Sequence, residues 1–215
     1  IKYDGCRILC VKDRGEVRLI TRNRKDWSDK FPHLARAAGA LPPESFMLDG
    51  EVVVLRPDGT PDFQALQNIL KGRSSERAGY YVFDILHGEG RDLTSVPLKE
   101  RKRILKILLK GVPSPLVYGD AIQGNGDRVY DQACRMGFEG IVSKRADSPY
   151  EPKRTRTWVK VKCVKRQEFV IGGFTEPSGA RSGFGALLLG YHDDRKRLIY
   201  AGRVGTGFTE TTLQD

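Results

Sequence analysis

Runs of apolar residues interrupted by charged ones open the chain. The stretch YDGCRILCVKDRGEVRLITRN reads as a strand, a turn at Asp13-Arg14-Gly15 and a second strand. A helical or loop stretch follows over 26–38. FMLDGEVVVL (46–55) is rich in β-branched residues and stops at Pro57-Asp58-Gly59, as a strand ended by a turn. Asp62 stands as a helix cap before FQALQNILKG, with Gly72 beyond its end. YYVFDIL (80–86) is a strand. In LKERKRILKILLKG (98–111), Leu98, Leu105, Leu108 and Leu109 recur near helical spacing and Gly111 ends the run. Asp127 is expected to cap a helix through Met136, with Gly137 as its stop. EGIVSKR (139–145) and WVKVKC (158–163) are strands on either side of a loop rich in Pro, Lys and Arg.

After Gln167 the texture changes. EFVIGGF, GALLLGYH and RLIYAGRV are short strands between Gly-rich turns, with no helical pattern, as in a small barrel. The boundary is placed near Val164–Arg166, giving expected domains 1–164 and 165–215. No internal repeat stands out. The chain starts directly on a strand-like segment, which is expected of a piece of something longer.

Side-chain parity turns these strands into faces. In WVKVKC, Trp158, Lys160 and Lys162 share one face, and Val159, Val161 and Cys163 the other, which is expected to be the core side. Two neighbouring lysines repel unless an anion lies between them. Asp49 and Glu51 share a face with Met47, Val53 and Leu55, and carboxylates among apolar groups call for a cation or a donor. Glu139 adds an acid at the start of another strand. Oxygen donors of this kind suit Mg²⁺ or Mn²⁺ better than zinc. In YYVFDIL, alternation puts Tyr81, Phe83 and Ile85 on one face and Val82, Asp84 and Leu86 on the other.

Composition narrows the partners. The 215 residues are 39% hydrophobic and 30% charged, ordinary for a protein with a real core. Lys and Arg number 37 against 27 Asp and Glu, a formal net charge of +10 that favours a polyanion such as nucleic acid. No apolar run approaches membrane-spanning length, and no signal peptide is expected. Cys6, Cys10, Cys134 and Cys163 form no C-x-x-C pair, which argues against structural zinc and reads as free thiols in a reducing, intracellular setting. There is no G-x-x-x-x-G-K-[ST] loop, and the glycines of SGARSGFG and GRVGTG precede no helix. Phosphate-loop and dinucleotide-binding enzymes are thereby set aside.

A lysine partly desolvated among other cations becomes a nucleophile. Lys2, in IKYDGCR, is the candidate, with Arg7, Lys160, Lys162 and a bound metal as its cationic surroundings. A nucleophile, cations for a polyphosphate and acids for a metal together outline nucleotidyl transfer onto a lysine. The alternative is that Lys2 is a surface charge.

Lys2-Tyr3-Asp4-Gly5-Cys6-Arg7 resembles the K-x-D-G-x-R motif of covalent nucleotidyltransferases, which include DNA ligases, RNA ligases and capping enzymes. LDGEVV, YYVFDIL, EGIVSKR and WVKVKC follow in that superfamily's order. TRNRKDW, DFQALQN, SKRADSPYEP and GGFTEPSGARSGFGALLLGY are similar to the ATP-dependent DNA ligases of bacterial end joining, the ligase D group. The resemblance runs over nearly the whole chain. It implies an α+β fold: a nucleotidyltransferase (ATP-grasp-like) adenylation domain with antiparallel sheets and flanking helices, then an OB-fold β-barrel expected to be incomplete.

By the same resemblance, Lys2 attacks the α-phosphate of ATP, and the AMP passes to a DNA 5′-phosphate before a 3′-hydroxyl seals the nick. Arg7 and Arg22 would hold the ribose and phosphate side. Glu51 would contact the ribose or a metal, and Phe83 would stack on adenine, where the residues alone favour core packing. Glu139 would help hold Mg²⁺ or Mn²⁺. Lys160 and Lys162 would grip the α-phosphate. Lys144 matches an ATP contact, although five residues from Glu139 alternation sets it on the opposite face unless a bulge intervenes. Arg154 is a weaker candidate of the same kind. Arg181 and Arg203 would bind DNA phosphates, although ordinary solvated arginines read the same way. The implied partners are nicked or broken double-stranded DNA and the end-binding, polymerase and nuclease modules of end joining. The implied setting is the bacterial cytoplasm, at the nucleoid, with no membrane.

The family has an acidic residue before the lysine motif and a basic motif late in the barrel. Both positions fall outside Ile1–Asp215, so self-adenylation by these residues alone is expected to suffer more than sealing of pre-adenylated DNA. An RNA ligase, a GTP-using capping enzyme and a non-catalytic nucleic-acid-binding module are the competing readings.

Overall fold

In the computed structural model, described over residues 1–72, 74–163, 168–177, 179 and 183–209, the chain divides into two units, Ile1–Cys163 and Val164–Asp215. The first unit is built on a six-stranded sheet. Strands β1 (Cys6–Asp13) and β2 (Glu16–Thr21) form the expected hairpin, Asp13 pairing with Glu16 across Arg14-Gly15. β3 (Ser45–Val54) and β4 (Ala78–Gly88) continue the sheet antiparallel. β4 then pairs β5 (Arg91–Asp92) antiparallel and β6 (Leu116–Tyr118) parallel.

Among the described residues, four α-helices and a 3₁₀ turn accompany the sheets. The 26–38 stretch resolves into a 3₁₀ turn, Ser28–Lys30, and helix α1 (Pro32–Gly39). α2 (Phe63–Leu70) begins where the sequence places it, the Asp62 carboxylate accepting a hydrogen bond from the Ala65 amide at 3.0 Å. α3 is Leu98–Leu108. α4 (Gly126–Arg135) is capped by Asn125, two residues before the expected Asp127, because the Asn125 side chain accepts from the Arg128 amide.

β1 alternates as its pattern requires: Ile8 and Cys10 are fully buried, while Arg7 is exposed on the other side. Leu48, Val52, Tyr80 and Val82 extend that buried face, and Leu34 and Ala38 of α1, Leu66 of α2 and Leu105 of α3 close over it. Tyr80 is the large group at its centre, its hydroxyl 2.9 and 3.0 Å from the carbonyl oxygens of Ile8 and Leu48. Its ring needs Gly50 beside it, since a Cβ there would lie 2.5 Å from the ring.

A separate two-stranded sheet pairs β7 (Gly140–Lys144) with β8 (Trp158–Lys162). Here the sequence expectation fails in one respect. Val159 and Val161 are 47% and 37% exposed and do not face the core. A two-stranded ribbon has no second layer over this side, so the apolar alternation of β8 does not mark burial.

The second unit carries a three-stranded antiparallel sheet, β9 (Val170–Phe174), β10 (Leu187–His192) and β11 (Leu198–Val204), in the order β11-β10-β9. Among the described residues these strands do not close on themselves, and Ile171, Phe174 and Tyr200 stay 60–64% exposed. No helix among the described residues is long and apolar enough to cross a membrane.

The cysteines depart from four free thiols. Cys134, at the end of α4, and Cys163, just past β8, are joined as a disulfide with Cα atoms 5.5 Å apart. They are 29 residues apart in sequence, and only the return of β8 beside α4 brings them together. Cys6 and Cys10 are free.

Candidate active site

The side of the main sheet away from Tyr80 gathers the charged residues. The register sets Arg7 of β1 opposite Glu51 of β3, and Glu51 opposite Tyr81 of β4, so all three share a face. Lys2 enters from just before β1. Its amide donates to the Gly140 carbonyl at 2.8 Å, and its Nζ pairs with the Glu139 carboxylate. Lys162 Nζ reaches the other oxygen of Glu139 at 2.8 Å. One carboxylate therefore gathers the candidate nucleophile and one of the paired lysines. Burial would raise the Glu139 pKa, but hydrogen bonds from Lys162 and Lys2 outweigh it and hold the carboxylate below its usual range.

Glu51 is mostly enclosed, and burial pushes its carboxyl up to about 7 against the pull of Arg7, Lys2 and Lys160. Arg7 makes a bidentate pair with the buried Asp49, at 2.9 Å from Nε and 2.5 Å from Nη2, and Tyr150 Oη lies 3.3 Å from the same Nη2. Arg7 is thereby fixed with its guanidinium 5.7 Å from the Phe83 ring centre.

Lys144 lies at the far end of the cluster. Its ammonium is 4.2 Å from the Phe83 ring centre and 3.8 Å from that of Trp158. Enclosure lowers its pKa to about 7, against Asp84 and Asp49, which raise it. No bulge brings Lys144 round, because the β7–β8 register runs unbroken from Gly140–Lys162 to Lys144–Trp158. The break in alternation falls at Gly140, whose φ of +145° turns Glu139 onto the lysine face. A Cβ at Gly140 would also meet the Val161 carbonyl at 2.1 Å.

A bulge does occur in β4. The pairing steps from Gly50–Val82 to Asp49–Asp84 and leaves Phe83 as the extra residue. Alternation set Asp84 on the face away from Phe83. The slip instead pairs it with Asp49, within electrostatic reach of Lys144, while Phe83 keeps its place beside Arg7 and Lys144.

Comparison with known proteins decides the family. A family model described as ATP dependent DNA ligase domain matches residues 1–162, and one described as ATP dependent DNA ligase C terminal region matches 180–215. The chain belongs to the ATP-dependent DNA ligase family. This ligase chain is 44% identical over 217 residues to the multifunctional non-homologous end joining protein LigD of Pseudomonas aeruginosa, covering all of this chain and 26% of that protein. It is 34% identical to the SPbeta prophage-derived DNA ligase-like protein LigB of Bacillus subtilis, over 86% of this chain and 71% of that one. A solved mycobacterial DNA ligase D, complexed with ATP and MES, superposes with a TM-score of 0.69 at 35% identity, over 99% of this chain and 67% of that chain. The ligase chain thus spans about a quarter of the length of the LigD proteins it matches. The α+β class with antiparallel sheets agrees with that likeness, and the strands of the second unit are consistent with an OB-type domain.

Of the residues singled out in the ligase sequence, Lys2, Arg7, Glu51, Phe83, Glu139, Lys144, Lys160 and Lys162 come together. Arg22 is tied to them by no hydrogen bond, ion pair or ring contact among the described residues. It is exposed one residue past Thr21, which pairs with Ile8. Arg154 is exposed in the loop before β8. Arg203 is exposed on β11 beside a groove lined by Thr175, Glu176 and Gly185. Arg181 lies outside the described residues.

Four contributors to the site escaped sequence reasoning. Asp84 and Arg101 form a fully buried bidentate pair at 2.8 and 2.9 Å. Tyr150 braces Arg7 and Asp49. Lys102 bonds the Gly119 carbonyl beside the Tyr118 ring, and burial lowers its pKa to about 8. Arg101 did leave a signal: it stands three residues after Leu98 and four before Leu105, on the buried stripe of α3.

Proposed function

We propose that these residues form the nucleotidyl-transfer centre of an ATP-dependent DNA ligase that works in double-strand break repair by end joining. The convergence of Lys2 and Lys162 on Glu139 carries this reading. Glu139 holds the Lys2 amine in place before substrate arrives. Attack on the α-phosphate of ATP requires the free amine, so the Lys2–Glu139 pair opens as the nucleotide enters. A bond forms between Nζ and phosphorus, and pyrophosphate leaves. Lys160 and Lys162 then face the charge that builds on the transferring phosphoryl group. Phe83 offers its ring to the adenine and Arg7, locked by Asp49, its guanidinium to the ribose and phosphate side. Lys144, beside the Phe83 ring, is a further contact for the nucleotide on this reading.

Glu51 and Glu139 are the carboxylates able to hold Mg²⁺ or Mn²⁺. Among the described residues no three acidic, His or Cys groups form a cage of their own. One or two carboxylates completed by substrate phosphates is the ordinary way magnesium is bound, so the donor set fits. The ion would supply positive charge at the phosphates.

On this reading residues 1–164 form the adenylation domain and 165–215 belong to an OB-fold domain that meets DNA through Arg203 and Arg181. Nicked or broken duplex DNA is the substrate, end-binding and polymerase or nuclease modules are the partners, and the bacterial nucleoid is the setting.

The test is incubation with Mn²⁺ and α-labelled ATP, then a denaturing gel, with Lys2→Ala alongside. A labelled band absent from the variant is the expected result. Label that persists in Lys2→Ala would overturn the assignment of the nucleophile. Failure of the wild type both to take up label and to seal a pre-adenylated nick would leave only a nucleic-acid-binding role.

A further inference from the structure

The disulfide lies beside the Lys2–Glu139–Lys162 trio. Cys134 is five residues before Glu139, and Cys163 is the next residue after Lys162. The Cys163 amide donates to the Glu139 carbonyl at 2.9 Å, and Tyr130 of α4 donates to the Lys162 carbonyl at 3.2 Å. The S–S bond therefore closes over the one stretch of backbone that sets both ends of the ion-paired group. Both cysteines are half-buried, within reach of a small reagent. Apart from the bond, the end of β8 is held by the Cys163 and Tyr130 hydrogen bonds, the exposed Lys162–Glu139 ion pair and the last pairing of the ladder, Gly140–Lys162. Strand ends held this way open locally at low cost.

We propose that Cys134 and Cys163 are a reversible thiol–disulfide pair that, when oxidised, clamps the Glu139–Lys162 anchor of Lys2 and, when reduced, loosens it. The oxidant is a low-molecular-weight disulfide of the glutathione class. One cysteine thiolate attacks a sulfur of that disulfide and releases one small thiolate. The second cysteine attacks the mixed disulfide, forms the Cys134–Cys163 bond and releases the other. Two electrons pass from the protein pair to the small disulfide, and the two thiol protons go to the released thiolates. Excess small thiol reverses each step. In intracellular proteins such bonds are characteristically transient, which suits a switch better than a permanent staple.

The test uses the wild-type chain, equilibrated with oxidised or reduced glutathione, alkylated and mapped by mass spectrometry. Oxidised samples are expected to yield a Cys134–Cys163 linked peptide, and reduced samples alkylated cysteines at both positions. Hydrogen exchange in peptides covering 138–144 and 158–163 is expected to be roughly threefold faster or more in the reduced form. Labelling of Lys2 by an amine-reactive ester should speed up with it. Cys134→Ser should behave as the reduced form under both conditions. Two alkylatable thiols after oxidation, or equal exchange and equal Lys2 labelling in the two forms, would overturn the proposal. None of these readouts needs ligase activity, so their failure is distinct from failure of the functional reading.

Discussion

Lys144 and Glu51 are residues whose charge the fold works against, in opposite directions. Lys144 titrates at about 7 in the folded protein, while an unfolded lysine keeps its proton to about 10.4. Between those values the unfolded chain binds more protons, so this residue makes stability rise with pH. Glu51 has the reverse sign: its folded value of about 7 lies above the ordinary carboxylate value of about 4.3, so its contribution falls as pH rises through that window. Thermal melts of wild type and Lys144→Met, at about pH 6.5 and about pH 9.5, should show the difference in Tm moving in favour of wild type at the higher pH. A constant difference would mean the ammonium stays charged between its two rings. Glu51→Gln should shift the comparison the other way between about pH 5 and about pH 7. On the proposed mechanism Lys160 and Lys162 bear on rate: replacing either with Ala should lower AMP transfer by about 10²–10³-fold, measured under single-turnover conditions. At this scale the motif residues were legible, since their spacing and strand parity show in the letters. Tyr150 was not. It reaches Arg7 from a loop 143 residues away, and no local pattern encodes that distance.

The elements hold this chemistry through buried polar ties as much as through apolar packing. Arg101 of α3 grips Asp84 of β4 with two bonds away from solvent, and a half-buried bond to the Val96 carbonyl at 2.5 Å adds to them. Arg101→Ala leaves Asp84 charged and unpaired in the interior and should cost roughly 3–5 kcal/mol in urea melts. Arg101→Met combined with Asp84→Leu removes both charges and should recover most of that loss. A loss as large in the double variant would show that the pair supplies more than mutual neutralisation. Removing the Asp62 cap with Ala is a smaller matter, about 1 kcal/mol. The helix starts, the first hairpin and the strands of the main sheet were readable because capping and alternation are local rules. The β4 bulge, the twist of Glu139 at Gly140 and the exposure of Val159 and Val161 were not, because each depends on which neighbour lies across the ladder or above the face.

For the whole molecule, the proposed ligase role makes the +10 charge a matter of how tightly DNA would be held more than where. DNA affinity should fall steeply with salt, and Arg203→Ala should reduce the slope of log affinity against log salt by about 1, with little change in sequence preference. An unchanged slope would remove Arg203 from the phosphate-binding surface. By itself the sequence determined the family, the order of the motifs, the two-part organisation of the strand patterns and the identity of the nucleophile candidate, because those rest on residue type and spacing along one dimension. Only the tertiary structure decided that Glu139 binds Lys2 and Lys162 together, that Asp84 joins Arg101 on the inside, and that Cys134 meets Cys163. Each of those contacts spans 17 or more residues and exists only because strand register and helix packing return distant segments to the same few ångströms.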